Sequence, residues 1–61
     1  MPNMTGRKTV IVEKDGETFE GTVQCDPING KPLYVVYVHS LAGEEITPDD
    51  NLYKMMMHKA G

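Results

Sequence analysis

The first continuous pattern in the chain is Lys8-Thr9-Val10-Ile11-Val12-Glu13-Lys14, a run centred on β-branched residues whose stiff χ1 suits a pleated strand better than a helix. It ends at Asp15-Gly16, the dipeptide that most readily takes the positive φ angles of a two-residue hairpin, so the next run returns antiparallel. That run, Glu17 to Cys25, alternates. Phe19, Gly21, Val23 and Cys25 fall on one face and Thr18, Glu20, Thr22 and Gln24 on the other, as in a sheet with one dry side. Gly21 on the dry face marks a bulge, a bend or the close approach of another backbone.

Asp26-Pro27-Ile28-Asn29-Gly30-Lys31-Pro32 interrupts the pattern, because its prolines cannot donate to a ladder and Asn29-Gly30 supplies a tight turn. The third run, Leu33-Tyr34-Val35-Val36-Tyr37-Val38-His39, is apolar at nearly every position, so both of its faces need cover, from a helix, from barrel closure or from another subunit. Strict alternation places Leu33, Val35, Tyr37 and His39 on one face and Tyr34, Val36 and Val38 on the other. A short strand over Glu44 to Thr47 follows. Thr47-Pro48-Asp49-Asp50 then has the signature of a helix start, with Thr47 as the cap, Pro48 at the first helical position and carboxylates in the first turn. Leu52, Met55, Met56 and Ala60 share one helical face, and Gly61 stops the helix. The alternative is a single 3₁₀ turn followed by an edge strand over 52–57. The lack of Val, Ile or Thr in that stretch favours the helix.

The expected fold is therefore mainly β: a small SH3-like barrel or a curled antiparallel meander of four to five strands with a short C-terminal helix. Residues 1–7 read as a flexible N-terminus and 8–61 as a single small domain. The Asp15-Gly16 hairpin, the Glu20-Gly21-Thr22-Val23 bend, the long second loop and the Ile46-Thr47-Pro48-Asp49-Asp50-Asn51-Leu52 turn resemble the layout of SH3-like barrels, from Lys8 to Tyr53. That family hosts peptide binders, chromatin readers, translation factors and enzymes, so the resemblance implies a fold and leaves function open. The compact acidic chain is also similar in style to the small accessory proteins that bacteriophages encode to bind and block or redirect host factors. That similarity implies a regulator or inhibitor acting by contact.

Composition narrows the chemistry. A chain of 61 residues buries only about 60% of the surface that its unfolded form exposes, so self-association or a partner is expected to supplement the core. A single cysteine excludes an internal disulfide, and a lone thiol suits a reducing, cytoplasmic setting. Nine acidic against six basic residues give a net charge of −3, which makes nucleic acid the disfavoured partner. The longest apolar stretch, Leu33 to Val38, is too short to cross a bilayer, so no membrane is expected.

No set of residues has the spacing of a catalytic or metal site, and no enzyme activity, cofactor or metal is expected. Cys25 alternates with Phe19 and Val23 and reads as a small core hydrophobe rather than as half of a thiolate–imidazolium pair with His39. Met55-Met56-Met57-His58 has soft donors, but consecutive methionines cannot converge on one point from a helix, and packing is their commoner use. The expected activity is noncatalytic protein–protein binding, with Tyr34, Tyr37 and the acidic group Glu44, Glu45, Asp49 and Asp50 facing the partner. Val36, Val38, Met55 and Met56 are expected at a homo-oligomer contact. A small-ligand site between subunits, with Arg7, Tyr37 and His39 orienting the molecule, is the alternative, as is an SH3-like nucleic-acid binder.

Overall fold

The computed structural model describes residues 6–61, and in it the runs become strands β1 (Arg7–Lys14), β2 (Glu17–Cys25), β3 (Pro32–Ser40) and β4 (Glu45–Ile46), followed by helix α1 (Asp50–Ala60). The strands form one antiparallel sheet in the order β1-β2-β3-β4. Of the two architectures left open by the sequence, this is the meander. Strands β1 and β4 are opposite edges, and α1 rather than barrel closure covers one face of the sheet. The expectation of a flexible N-terminus falls largely on residues 1–5, outside the described residues; Gly6 already accepts a hydrogen bond from Cys25 N at 2.6 Å, and Arg7 opens β1.

The hairpin forms where Asp15-Gly16 requires it: Asp15 at φ 53° and Gly16 at φ 79° make the two positive-φ positions of a type I′ turn, whose twist matches that of the flanking strands. Register then follows residue for residue, with Lys14 opposite Glu17 and Val10 opposite Gly21. The dry face is the one read from alternation. Phe19, Val23 and Cys25 are buried with Val10 and Val12 from β1, Val38 from β3, and Leu52, Met56 and Ala60 from α1.

Strand β3 departs from strict alternation. Its register against β2 shifts twice, between Thr22 and Val23 and between Gln24 and Cys25, so that Val36 and Leu33 are extra residues in the ladder. Each bulge reverses the side to which subsequent residues point. Val35 and Val38 therefore pack toward the core, while Tyr34, Tyr37 and His39, opposite Gln24, Thr22 and Glu20, share the other face. The expected grouping of Tyr37 with Val35, and of Tyr34 with Val38, is corrected accordingly. Beyond the short pairing with β4 at Val38 and His39, the edge of β3 is met by the helix: Val35 N–H donates to Tyr53 Oη at 3.2 Å.

Helix α1 begins two residues later than expected. Its N-cap is Asp49, whose Oδ1 accepts from Leu52 N at 2.8 Å, and Pro48 precedes the cap. Asp caps as well as Thr does, and a residue before proline is biased to extended backbone, which leaves Thr47 outside the helix. At the other end Gly61 N–H bonds back to Met57 and His58 carbonyls. Two lysines from β1 hold both ends of α1: Lys14 Nζ lies 3.0 Å from Asp49 Oδ2, and Lys8 Nζ donates to Ala60 O at 3.1 Å. Six strand residues span about 20 Å and eleven helical residues about 16 Å, so the two clamps suit a helix running antiparallel to β1. Lys8 also sets positive charge against the negative end of the helix dipole.

The Asp49 clamp carries a pH signature. The cap bond from Leu52 N–H, reinforced by Lys14, holds the Asp49 carboxyl below its ordinary range, while Asp49, with Asp15 adding to it, raises Lys14 above its own. A depressed carboxyl stabilises the fold above its unfolded pKa of about 3.9, and that contribution disappears as pH falls through the lower folded value. The raised Lys14 contributes below about pH 10.4 and loses its contribution as pH rises through the folded value. Asp49→Asn keeps a cap oxygen and removes the charge. Its melting temperature is expected to lie below wild type at pH 6 and to converge with it under acid, as thermal unfolding at several pH values will check.

Candidate interaction surface

With α1 laid across one face, the other face of the sheet is bare of helix, and the register arranges its side chains in rows across the strands. Arg7, Gln24 and Tyr34 form one row, Thr9, Thr22 and Tyr37 a second, and Ile11, Glu20, His39 and Glu45 a third. Ile11, Tyr34 and Tyr37 are 52%, 49% and 45% exposed, a high value for large apolar groups in mid-strand. Thr22, directly opposite Tyr37, is buried.

Several of these side chains are held in place. Arg7 Nε donates to Gln24 Oε1 at 3.2 Å, and Gln24 Nε2 donates in turn to Cys25 O at 3.0 Å. The ring of His39 stacks on Tyr37 with centroids 5.9 Å apart and planes 24° from parallel. Its Nε2 lies 3.2 Å from Glu20 Oε1 and its Nδ1 3.1 Å from Ser40 O, so both ring nitrogens sit beside oxygen. The result is an aromatic pair on β3 with polar groups fixed around it and Ile11 exposed on β1, two strands away. Positioned side chains of this kind lose less entropy on contact than free ones do.

The structure brings some expected site residues together and separates others. Tyr34 and Tyr37 lie on one face, and Arg7 and His39 lie with them. The acidic group divides: Glu45 is opposite His39 on the helix-free face, Glu44 sits in the β3–β4 turn with its N–H on Ser40 Oγ, and Asp49 and Asp50 belong to the helix start. Val38 and Met56, expected at a subunit contact, are 0% exposed within the single chain, because α1 packs them against each other's layer. Val36 and Met55 are half-buried, Met55 beside the core and Val36 at a bulge.

Other chemistry finds little to work with. Cys25 is buried on the helix-covered face, and His39 lies on the opposite one, so they form no pair. Among the described residues no group of three or more His, Cys, Asp or Glu side chains could hold a metal ion. Met56 points into the core while His58 is exposed, which disperses the Met-His run. No helix among the described residues is long and apolar enough to cross a membrane.

The arrangement defines a small, mainly β domain: an antiparallel meander with one helix-covered face and one face open to contact. No family model, no curated protein and no solved structure matches the chain. Sequence reading missed Ile11 as a member of this surface, although its place between Val10 and Val12 in a half-polar strand assigns it to the face opposite theirs.

Proposed function

We propose that the chain is a noncatalytic binding module that acts through protein–protein contact on the helix-free face of its sheet. The observation that supports this reading most is the two-bulge register, which sets Tyr34 and Tyr37 side by side on β3, half exposed, with Ile11 one row beyond Tyr37 and across β2 on β1. Rigid aromatic groups ringed by polar side chains are the usual anchors of protein interfaces. The charge on this face favours a protein over nucleic acid: Arg7 is its sole Arg or Lys among the strand residues, against Glu13, Glu20 and Glu45. The partner surface that fits is apolar at its centre and basic at its rim. In this reading the chain blocks or redirects another protein, as phage accessory proteins do, with the helix-backed meander as scaffold.

The test compares wild type with the Tyr34→Ala/Tyr37→Ala double variant as bait in lysate of the native host, with and without nuclease. A protein retained by wild type and lost from a folded double variant, regardless of nuclease, is the expected result. Equal retention by both baits, or retention abolished by nuclease, contradicts the reading.

A further inference from the structure

The two edges of the sheet are finished differently. Strand β4 is only two residues long, and the overhanging part of β3 is bulged and met by Tyr53. These are ordinary protections against edge-to-edge pairing. Strand β1 has none of them. It is eight residues long, contains no proline or bulge, and pairs on one side only among the described residues. Its two lysines would normally guard an edge, but they are drawn onto the ends of α1.

The direction of the backbone groups along this edge follows from two observations. In a two-residue hairpin the flanking residues, here Lys14 and Glu17, exchange hydrogen bonds, and Cys25 N–H donates to Gly6 O at the far end of the ladder. Even-numbered residues of β1 therefore bond to β2. Arg7, Thr9, Ile11 and Glu13 turn their amides and carbonyls outward.

We infer that β1 pairs antiparallel with β1 of a second copy, joining two four-stranded sheets into one around a two-fold axis at Val10. An axis perpendicular to the sheet keeps both helices on the same side, and it places one residue opposite its own counterpart. Centring on Val10 sets Arg7 opposite Glu13 of the second copy, twice, and Thr9 opposite Ile11, covering part of an isoleucine that is 52% exposed. Centring on Ile11 instead sets Lys8 opposite Lys14, a like-charge pair that disfavours that register. The chosen register sets the outward amides and carbonyls of Thr9 and Ile11 against one another across the axis. On the helix side a groove of about 440 Å³ runs along this edge, lined by Ile11, Val12, Glu13, Met55, His58 and Lys59, and the second copy closes it. The inference does not rest on the partner-binding reading. It extends the helix-free face across both copies.

Sedimentation velocity of tag-free protein, from micromolar to millimolar concentration, tests it with wild type, Arg7→Glu, Glu13→Arg and the double exchange. The expected wild-type species at high concentration has twice the chain mass of 6.8 kDa. Each single exchange creates two like-charge contacts and weakens association by about tenfold or more, and the double exchange restores it. Circular dichroism confirms that each variant is folded. A wild type that remains monomeric at millimolar concentration overturns the inference, whether or not a foreign strand occupies β1. So do single exchanges without effect, or a double exchange that fails to rescue.

Discussion

Met56→Ala is expected to destabilise the fold by about 2–5 kcal/mol, the range for removing a long buried side chain and leaving a cavity. Met56 is 0% exposed and is the largest fully buried side chain among the described residues, in the layer where α1 meets Val23 and Val38. A domain of this size has a total stability of about 3–9 kcal/mol at typical values per residue. The substitution therefore removes a large share of it and moves the urea midpoint well below that of wild type. Met56→Leu, close in volume, is expected to cost less than about 1.5 kcal/mol. Urea unfolding followed by circular dichroism, at one fixed protein concentration because association would add to stability, measures both.

Gly21→Val is expected to cost about 1–3 kcal/mol, for a reason that the glycine's backbone does not reveal. A Cβ at this position would stand 2.6 Å from Met56 Sδ, 3.0 Å from Met56 Cε and 3.3 Å from Tyr37 O. The end of a methionine is flexible, but this one is enclosed on all sides, so moving it displaces other core groups. Gly21 is the slot into which Met56 fits. The two sites should therefore be coupled: Gly21→Val combined with Met56→Ala exchanges volume between them, and its cost is expected to be at least about 1 kcal/mol less than the sum of the single costs. Strict additivity in the same urea series would show that the two side chains do not share this space.

The sequence was most legible where local chemistry was specific. Asp15-Gly16 could make only a tight hairpin, the alternation from Phe19 to Cys25 identified the dry face, and the helix signals placed α1 to within a residue or two of Asp50–Ala60. Strand β3 was illegible for a physical reason. A run that is apolar at nearly every position has no alternation to report its register, so bulges at Leu33 and Val36 leave no trace in the pattern. The same ambiguity assigned Val38 to a subunit contact, with Met56 of the apolar helix face beside it, when α1 buries both within the chain. The lysine clamps had a signal: Lys8 and Lys14 occupy the same alternating positions as Val10 and Val12, where charge on a buried face needs a partner. Helix ends at the right separation supply it.

The face offered to a partner is set by which β3 side chains the bulges turn outward, and nuclear Overhauser contacts in isotopically labelled protein read that directly. Val35 and Val38 methyl protons should show contacts to α1, with Val38 near Met56, while the rings of Tyr34 and Tyr37 show contacts to Gln24 and Thr22 and none to the helix. Contacts from the Tyr37 ring to Met56, with Val38 methyls instead beside Thr22, would mean strict alternation, and the proposed binding face would not exist.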